Sequence, residues 1–142
     1  MSIWFAPATI EDLNRLSRKS MVEYLAIEFT EINENSITAR MPVDYRTQQP
    51  DGLLHGGASV ALAETLGSIA ANLCIDREKK ISVGLEINAN HVRSARSGYV
   101  YGTTTPIHIG ASTQVWEIRI TDEKDALICI TRLTMAVLSK KH

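Results

Sequence analysis

Cysteine is scarce in this sequence of 142 residues, with only Cys74 and Cys129 present. The two lie far apart in apolar surroundings, without the short spacing of a zinc site or of a small disulfide-bonded domain. We therefore expect buried, reduced thiols in a cytoplasmic protein. The histidines are also scattered along the chain and predict no metal site; they are His55, His91, His108 and His142.

The sequence also lacks an excess of charge of either sign and long hydrophobic runs. Lys and Arg total 15, Asp and Glu total 16, and the formal net charge is -1. This balance provides no general attraction for nucleic acid or an anionic membrane, so any anion site must be local. No segment reaches the roughly 18 uncharged apolar residues of a membrane span, and residues 1–9 lack the basic and apolar regions of a secretion signal. With 44% hydrophobic residues, the composition is that of one globular domain over residues 1–142.

Hydrophobic periodicity predicts an α+β fold. Thr9, followed by acidic residues, begins a short amphipathic helix, and residues 24–42 take the alternation of a β-hairpin. Residues 56–74 are apolar on nearly all sides, which predicts a long helix that is buried on most of its surface. Residues 81–90 alternate as a half-buried strand, and further strand-like runs follow through short turns. We expect five or six antiparallel strands, arranged as a meander and wrapped around the helix.

The strand at residues 81–90 has a clear alternation of apolar and polar side chains. Its apolar set is expected to face the core: Ile81, Val83, Leu85, Ile87 and Ala89.

Glu64 is the one charged residue of the long predicted helix. A buried carboxylate without a partner is costly, so it is expected either to pair with a backbone group or an Arg, or to have a chemical task. Ser68 follows one turn later, at i+4, and should face the same direction.

The start of that helix carries the sequence His55-Gly56-Gly57. Glycines at a helix N-terminus allow a ligand to approach unpaired backbone N–H groups, which favour negative charge developing on a carbonyl oxygen. A loop-to-helix turn with a capping role is the alternative. Gly56 and Glu64 are separated by a rise of about 12 Å, more than a Glu side chain spans. A second, antiparallel copy of the helix would bring its Glu64 beside Gly56, across a two-fold interface; unrelated roles for the two residues are the alternative.

Residues 90–98 contain two arginines, a histidine and two serines at the end of a predicted strand. They are consistent with a local phosphate site or, equally, with a solvated strand end.

Three blocks, residues 49–68, 84–96 and 114–118, resemble hotdog-fold acyl-CoA thioesterases of the aryl-CoA branch. The resemblance extends from about Met21 to Leu138. It is strongest to the hydrolases of 1,4-dihydroxy-2-naphthoyl-CoA in menaquinone biosynthesis, and then to the enterobactin proofreading thioesterases. It implies a single hotdog domain that hydrolyses an aromatic acyl-CoA to the free acid and CoA. Coenzyme A would be part of the substrate, with no other cofactor and no metal.

The resemblance also implies roles for individual residues. Glu64 would be the nucleophile or the general base toward water, and the Gly56 N–H would polarise the thioester carbonyl. Gln49 and His55 would position the carbonyl and the leaving sulfur, and Ser68 would hold the water or the Glu64 carboxylate. Dimers that share active sites, and pairs of such dimers forming tetramers, are implied as well.

Binding of the CoA moiety is implied for a further set of positions. Gly84 would lie along the pantetheine arm. The nucleotide would lie near His91, Val92, Arg93 and Ser94, and a second contacting segment would be His108, Ile109, Gly110, Ala111, Ser112 and Thr113. The family carries basic residues where this chain has Ser112 and Thr113, which weakens the expected grip on CoA phosphates or favours an acyl group on a carrier protein. Two other hypotheses are dehydration of a hydroxyacyl thioester and non-catalytic binding of acyl thioesters.

Overall fold

The computed structural model of the protein describes residues 1–141, so His142 lies outside the described part. Within that range the chain forms three helices and six strands. In order, they are α1 (Ile10–Leu16), α2 (Met21–Tyr24), β1 (Glu28–Ile32), β2 (Ile37–Pro42), α3 (Gly56–Leu73), β3 (Lys80–His91), β4 (Tyr99–Ile109), β5 (Thr113–Thr121) and β6 (Leu127–Ser139).

The strands form one antiparallel sheet with the order β1-β2-β4-β5-β6-β3, and α3 packs on one face of it. This confirms the α+β class and the hotdog arrangement of a sheet around one long helix. The predicted meander is wrong for β3, which pairs with β6 at the far edge instead of with β4. The separation of β3 from β4 is three strand spacings, about 14 Å, and the connection at residues 92–98 is long enough to cross it.

Helix α3 begins and ends within one residue of its predicted bounds. Its N-cap is His55, whose Nδ1 accepts a hydrogen bond of 2.8 Å from the Gly57 N–H. One side of the helix lies against the sheet. The residues buried there are Ser59, Leu62, Ala63, Leu66, Gly67, Ala70 and Ala71.

Away from the sheet α3 is mostly half-buried, and its exposed residues are Gly57 and Glu64, so within one chain the expected burial on most sides is met only in part. The physical reason is that one sheet covers only one face of a helix, whereas small apolar residues continue around the rest of it. Such an apolar, half-buried face has the composition of a surface that another molecule would cover further.

Strand β3 contains a bulge at Leu85, because Gly84 pairs with Met135 while Glu86 pairs with Thr134. One extra residue reverses the side to which the preceding side chains point. As a result Val83 is 38% exposed, and Leu85, the unpaired residue of the bulge, is 62% exposed, contrary to the expectation that they face the core. Ile81 also lies opposite an outward-facing residue, whereas Ile87 and Ala89 pack against the core as expected.

The N-terminal predictions are confirmed, with one addition. Thr9 caps α1 in a reciprocal pair of hydrogen bonds with Asp12, of 3.1 and 2.9 Å, and β1 and β2 form the expected hairpin. The short helix α2 was not predicted. It lies between Lys19 and Ala26, which both have positive φ angles, of 60° and 56°.

None of the helices in residues 1–141 is long and apolar enough to cross a membrane. Cys129 is buried and Cys74 is half-buried, and both are free thiols. Burial raises the pKa of Cys74 to about 11.

Candidate active site

Two pockets open beside α3. The Glu64 pocket has a volume of about 390 Å³ and lies between α2 and the middle of α3; it is lined by Met21, Val22, Leu25, Ile27, Ala61, Glu64, Thr65, Ser68 and Ile69. The Gly56 pocket has a volume of about 420 Å³ and lies at the N-terminus of α3; it is lined by Gln49, Leu53, Leu54, Gly56, Ser59, His91, Val92, Arg93, Ser94 and Ile128.

Glu64 is exposed in the single chain, so the expectation of a desolvated carboxylate is wrong there. Its carboxylate lies beside Gly84 at the edge of the sheet, and it forms no ion pair within residues 1–141. Ser68 lies in the same pocket one helical turn later, as the i+4 spacing predicted. The carboxylate is therefore beside a hydroxyl and an apolar cavity, and it is free of competing cations.

Gly84 on β3 leaves the space that the Glu64 carboxylate occupies. A Cβ atom at position 84 would lie 2.7 Å from Oε2 of Glu64, and Cβ atoms in proteins essentially never come within 3.0 Å of such an atom. A glycine at this position thus allows the acidic side chain to lie flat against the edge strand.

At the N-terminus of α3, His55 and His91 surround the first turn. His55 accepts the Gly57 N–H through Nδ1, so the hydrogen of its neutral ring is on Nε2, which can donate outward. His91 covers Gly56 closely, because a Cβ at position 56 would lie 2.9 Å from its Nε2. The Gly57 N–H donates to His55 Nδ1, and those of Ala58 and Ser59 donate to the His55 carbonyl, so the Gly56 N–H is the donor that this turn leaves for a ligand. A helix N-terminus also attracts negative charge. This end of the helix can bind a carbonyl oxygen that is becoming anionic.

Gln49 lines the same pocket, and its side-chain oxygen is already engaged. That oxygen accepts hydrogen bonds from the backbone N–H groups of Asp51 and Leu53, the second at 3.4 Å. The Nε2 group of the amide then offers donors only, and a carbonyl oxygen is a suitable acceptor for it.

The two segments with implied CoA contacts are at opposite ends of the sheet. Residues 91–94 line the Gly56 pocket, whereas residues 108–113 form the β4–β5 end of the sheet, where the Gly110 N–H donates to the Thr113 carbonyl. On β6, His91 pairs with Cys129 and Thr113 pairs with Ala136. These two β6 residues are seven positions apart, so the two segments are separated by about 23 Å along the strand. One chain does not bring the two segments together.

Within the predicted basic segment, the two arginines differ in position. Arg93 and Ser94 line the Gly56 pocket and are exposed, so they could bind an anion there. Arg96 does not line either pocket, and its backbone carbonyl accepts a hydrogen bond from the Gln48 side chain. Residues 1–141 contain no group of three His, Cys, Asp or Glu side chains that could hold a metal ion.

Sequence reasoning missed the α2 wall of the Glu64 pocket. A usable signal was present, because Ser20 is a good N-cap and apolar residues follow at Met21, Val22 and Leu25. The helix has only four residues, however, and periodicity is weak over so short a stretch.

Comparisons with known proteins agree with this geometry. Residues 51–129 match the family model described as the thioesterase superfamily. The chain is 55% identical to the 1,4-dihydroxy-2-naphthoyl-CoA hydrolase of Escherichia coli, covering 96% of this chain and 99% of that protein. It is 48% identical to the proofreading thioesterase EntH of Cronobacter turicensis, covering 96% and 98%. The crystal structure of a mutant of thioesterase PA1618 from Pseudomonas aeruginosa superimposes with a TM-score of 0.96 at 48% identity, covering 98% of this chain and 100% of that one.

Proposed function

Since the chain belongs to the thioesterase superfamily and is an acyl-CoA thioesterase, we propose that it hydrolyses aromatic acyl-CoA thioesters such as 1,4-dihydroxy-2-naphthoyl-CoA. The observation that carries the proposal is the position of Glu64, whose exposed carboxylate faces an apolar pocket together with Ser68. The relatives support the substrate class, because those in Escherichia coli and Cronobacter are a 1,4-dihydroxy-2-naphthoyl-CoA hydrolase and a proofreading thioesterase.

Glu64 would act at the carbonyl carbon of the thioester. As a general base it removes a proton from water, whose oxygen adds to that carbon; as a nucleophile it adds directly and water later releases the acid. In both cases the C–S bond breaks, and the CoA thiolate leaves and takes up a proton. Ser68, one turn from Glu64, would hold the attacking water or the carboxylate.

The Gly56 end of α3 would stabilise the oxyanion. Backbone N–H groups at a helix N-terminus are preorganised donors for charge that develops in the transition state, and each such donor contributes about 10²- to 10³-fold in kcat. Gln49 would add a donor toward the same oxygen through Nε2. His55 would direct its Nε2–H at the carbonyl or the leaving sulfur.

Both halves of this chemistry would meet across a dimer. Within one chain Glu64 and Gly56 line different pockets, and α3 separates them by a rise of about 12 Å. An antiparallel second α3 would place the partner's Glu64 beside Gly56, and the same operation would bring residues 108–113 of the partner toward residues 91–94. The unpaired outer edge of β3, with its exposed Val83 and Leu85, supports an interface at this position. Two such dimers would pair into a tetramer.

A second candidate substrate is an aryl group on a carrier protein. It is favoured by the β4–β5 turn, in which Ser112 and Thr113 are uncharged and exposed. Without cations there, the grip on CoA phosphates would depend on Arg93 at the other end of the sheet.

Thiol release measured with a dye tests the proposal. A panel of aromatic and aliphatic acyl-CoA esters, including 1,4-dihydroxy-2-naphthoyl-CoA, is compared with the same aryl groups on a carrier protein. Glu64→Gln is expected to abolish turnover and to leave the fold and oligomer intact. Glu78→Gln, which changes an exposed carboxylate of the α3–β3 connection, is the matched control and should retain parent activity. Full activity of Glu64→Gln would refute the assignment, and cleavage of the carrier-bound group alone would favour the second substrate.

A further inference from the structure

We infer that the Glu64 pocket holds the acyl group and that α2 forms the wall of this pocket that selects among acyl groups. Met21 and Val22 of this α2 wall make the enzyme prefer flat, uncharged acyl groups. This inference rests on the proposed function. Its basis is that these side chains close the Glu64 pocket on the side opposite α3. An acyl chain that extends from a carbonyl beside Glu64 into the cavity must therefore pass between α2 and α3.

The α2 wall is held in a fixed position by its own backbone. The N–H groups of Tyr24 and Leu25 donate to the carbonyls of Ser20 and Met21, and those of Ala26 and Ile27 donate to Glu23 and Val22. Ser20 also caps the helix through its hydroxyl. With every amide from residue 24 to 27 engaged, the wall is preorganised, and its side chains set the width of the cavity.

The Glu64 pocket is lined by apolar side chains apart from Glu64, Thr65 and Ser68 of α3. Val22, Leu25 and Ile27 form one wall, and Ala61 and Ile69 belong to the other. Thr65 also lies there; its hydroxyl donates to the Ala61 carbonyl at 2.7 Å, so toward a ligand it can act only as an acceptor. Toward a ligand the pocket therefore offers the Glu64 carboxylate, the Ser68 hydroxyl and the acceptor oxygen of Thr65.

This lining selects against charge in the acyl group. A carboxylate at the far end of an acyl chain would lose water and find no cation among the residues that line the pocket, and Glu64 would repel it. An aromatic ring meets favourable surfaces instead, because the Met21 thioether can contact a ring edge and the aliphatic walls can cover its faces. The volume of about 390 Å³ is within the range of small-molecule sites.

Met21 suits a ligand contact better than a structural role. Its side chain is 63% exposed although it lines the pocket, so truncating it removes little core packing. Leu16 at the end of α1 is a matched control, because it is also an exposed apolar residue, at 73%, but does not line the pocket.

The experiment measures kcat/KM for benzoyl-CoA, hexanoyl-CoA and succinyl-CoA with the full-length chain. We expect Met21→Ala and Val22→Ala each to lower the benzoyl-to-hexanoyl ratio about tenfold, since a methylene-sized change in an apolar pocket is worth at least that much. Leu16→Ala should leave the ratio unchanged. Met21→Arg should raise the succinyl-to-benzoyl ratio about tenfold or more by supplying the missing cation, a gain that a merely structural role would not produce.

Two results would overturn the inference, and they are distinguishable. A parent protein that cleaves none of the esters would refute the proposed function and the α2 selectivity with it. If the parent cleaves the esters and the α2 variants have the same kcat/KM ratios between esters as the parent, α2 does not select the acyl group and the proposed function stands. Melting temperatures of all variants, measured in parallel, show whether each compared protein is folded.

Discussion

Replacing Gly84 with alanine should weaken catalysis without weakening the fold. The added Cβ would lie 2.7 Å from Oε2 of Glu64, whereas ordinary contacts begin at 3.4 Å, so the carboxylate must move by about 0.7 Å. A misplacement of roughly 1 Å in a reacting group costs about 10²-fold in rate, so we expect kcat to fall about 10- to 100-fold. Gly84 does not have a positive φ angle, and alanine there should leave stability unchanged or raise it by about 0.4–1 kcal/mol.

The assay compares initial rates of thiol release from an aryl-CoA ester with the melting temperature of each protein. Asn88→Ala is the control on the same strand, because Asn88 is exposed and contacts Glu86 instead of Glu64. In a Glu64→Gln background, any residual rate of thiol release should not fall further with Gly84→Ala, since the group that it displaces no longer acts. A Gly84→Ala protein with parent kcat would refute the argument that this glycine makes room for the Glu64 carboxylate.

Two further predictions concern the core and the thiols. Gly67→Ala should destabilise the protein by about 1–3 kcal/mol, because the new Cβ would lie 2.5 Å from Cδ2 of the buried Leu133; unchanged urea unfolding would contradict this. Cys74, with its pKa raised to about 11 from 9.0, should be alkylated by iodoacetamide at pH 8 about 100-fold more slowly than an unshifted thiol, as followed by mass spectrometry. The same shift means that Cys74 contributes stability below pH 9 that is lost as the pH rises toward 11, because the unfolded chain releases the proton first. Rapid labelling at pH 8 would contradict both statements.

The sequence predicted which helices and strands form better than it predicted which strands pair with one another. Helix α3 and the antiparallel strands follow from local periodicity and the N-cap at Thr9, which involve residues close in the chain. The position of β3 beside β6 does not, because a connection at residues 92–98 is long enough for several pairings and only packing chooses among them. The bulge at Leu85 was equally hidden, since a single extra residue leaves the alternation of the sequence intact while reversing the side it faces.

The parts of the candidate site that could be predicted are those whose residue types are unusual in their local sequence. A lone Glu64 in an apolar helix and the glycines at the start of α3 marked two parts of it, and the helical rise separated them. The exposure of Glu64 in one chain was not predictable, because it depends on which side of α3 the sheet covers. The wall formed by α2 was missed because four residues give too short a pattern for periodicity to reveal.

The central claim is that Glu64 of one chain acts on a thioester held at the Gly56 end of another. Subunit complementation tests it directly. Glu64→Gln and Gln49→Ala proteins, each expected to be at least about 100-fold less active than the parent, are unfolded together in equal amounts and refolded. Random pairing makes half of the dimers mixed, and each mixed dimer holds one intact site of two, so about a quarter of the parent activity should return. Refolding each variant alone gives the baseline. No recovery in a mixture that has formed mixed dimers would place Gln49 and Glu64 of one chain in the same site and contradict the shared site.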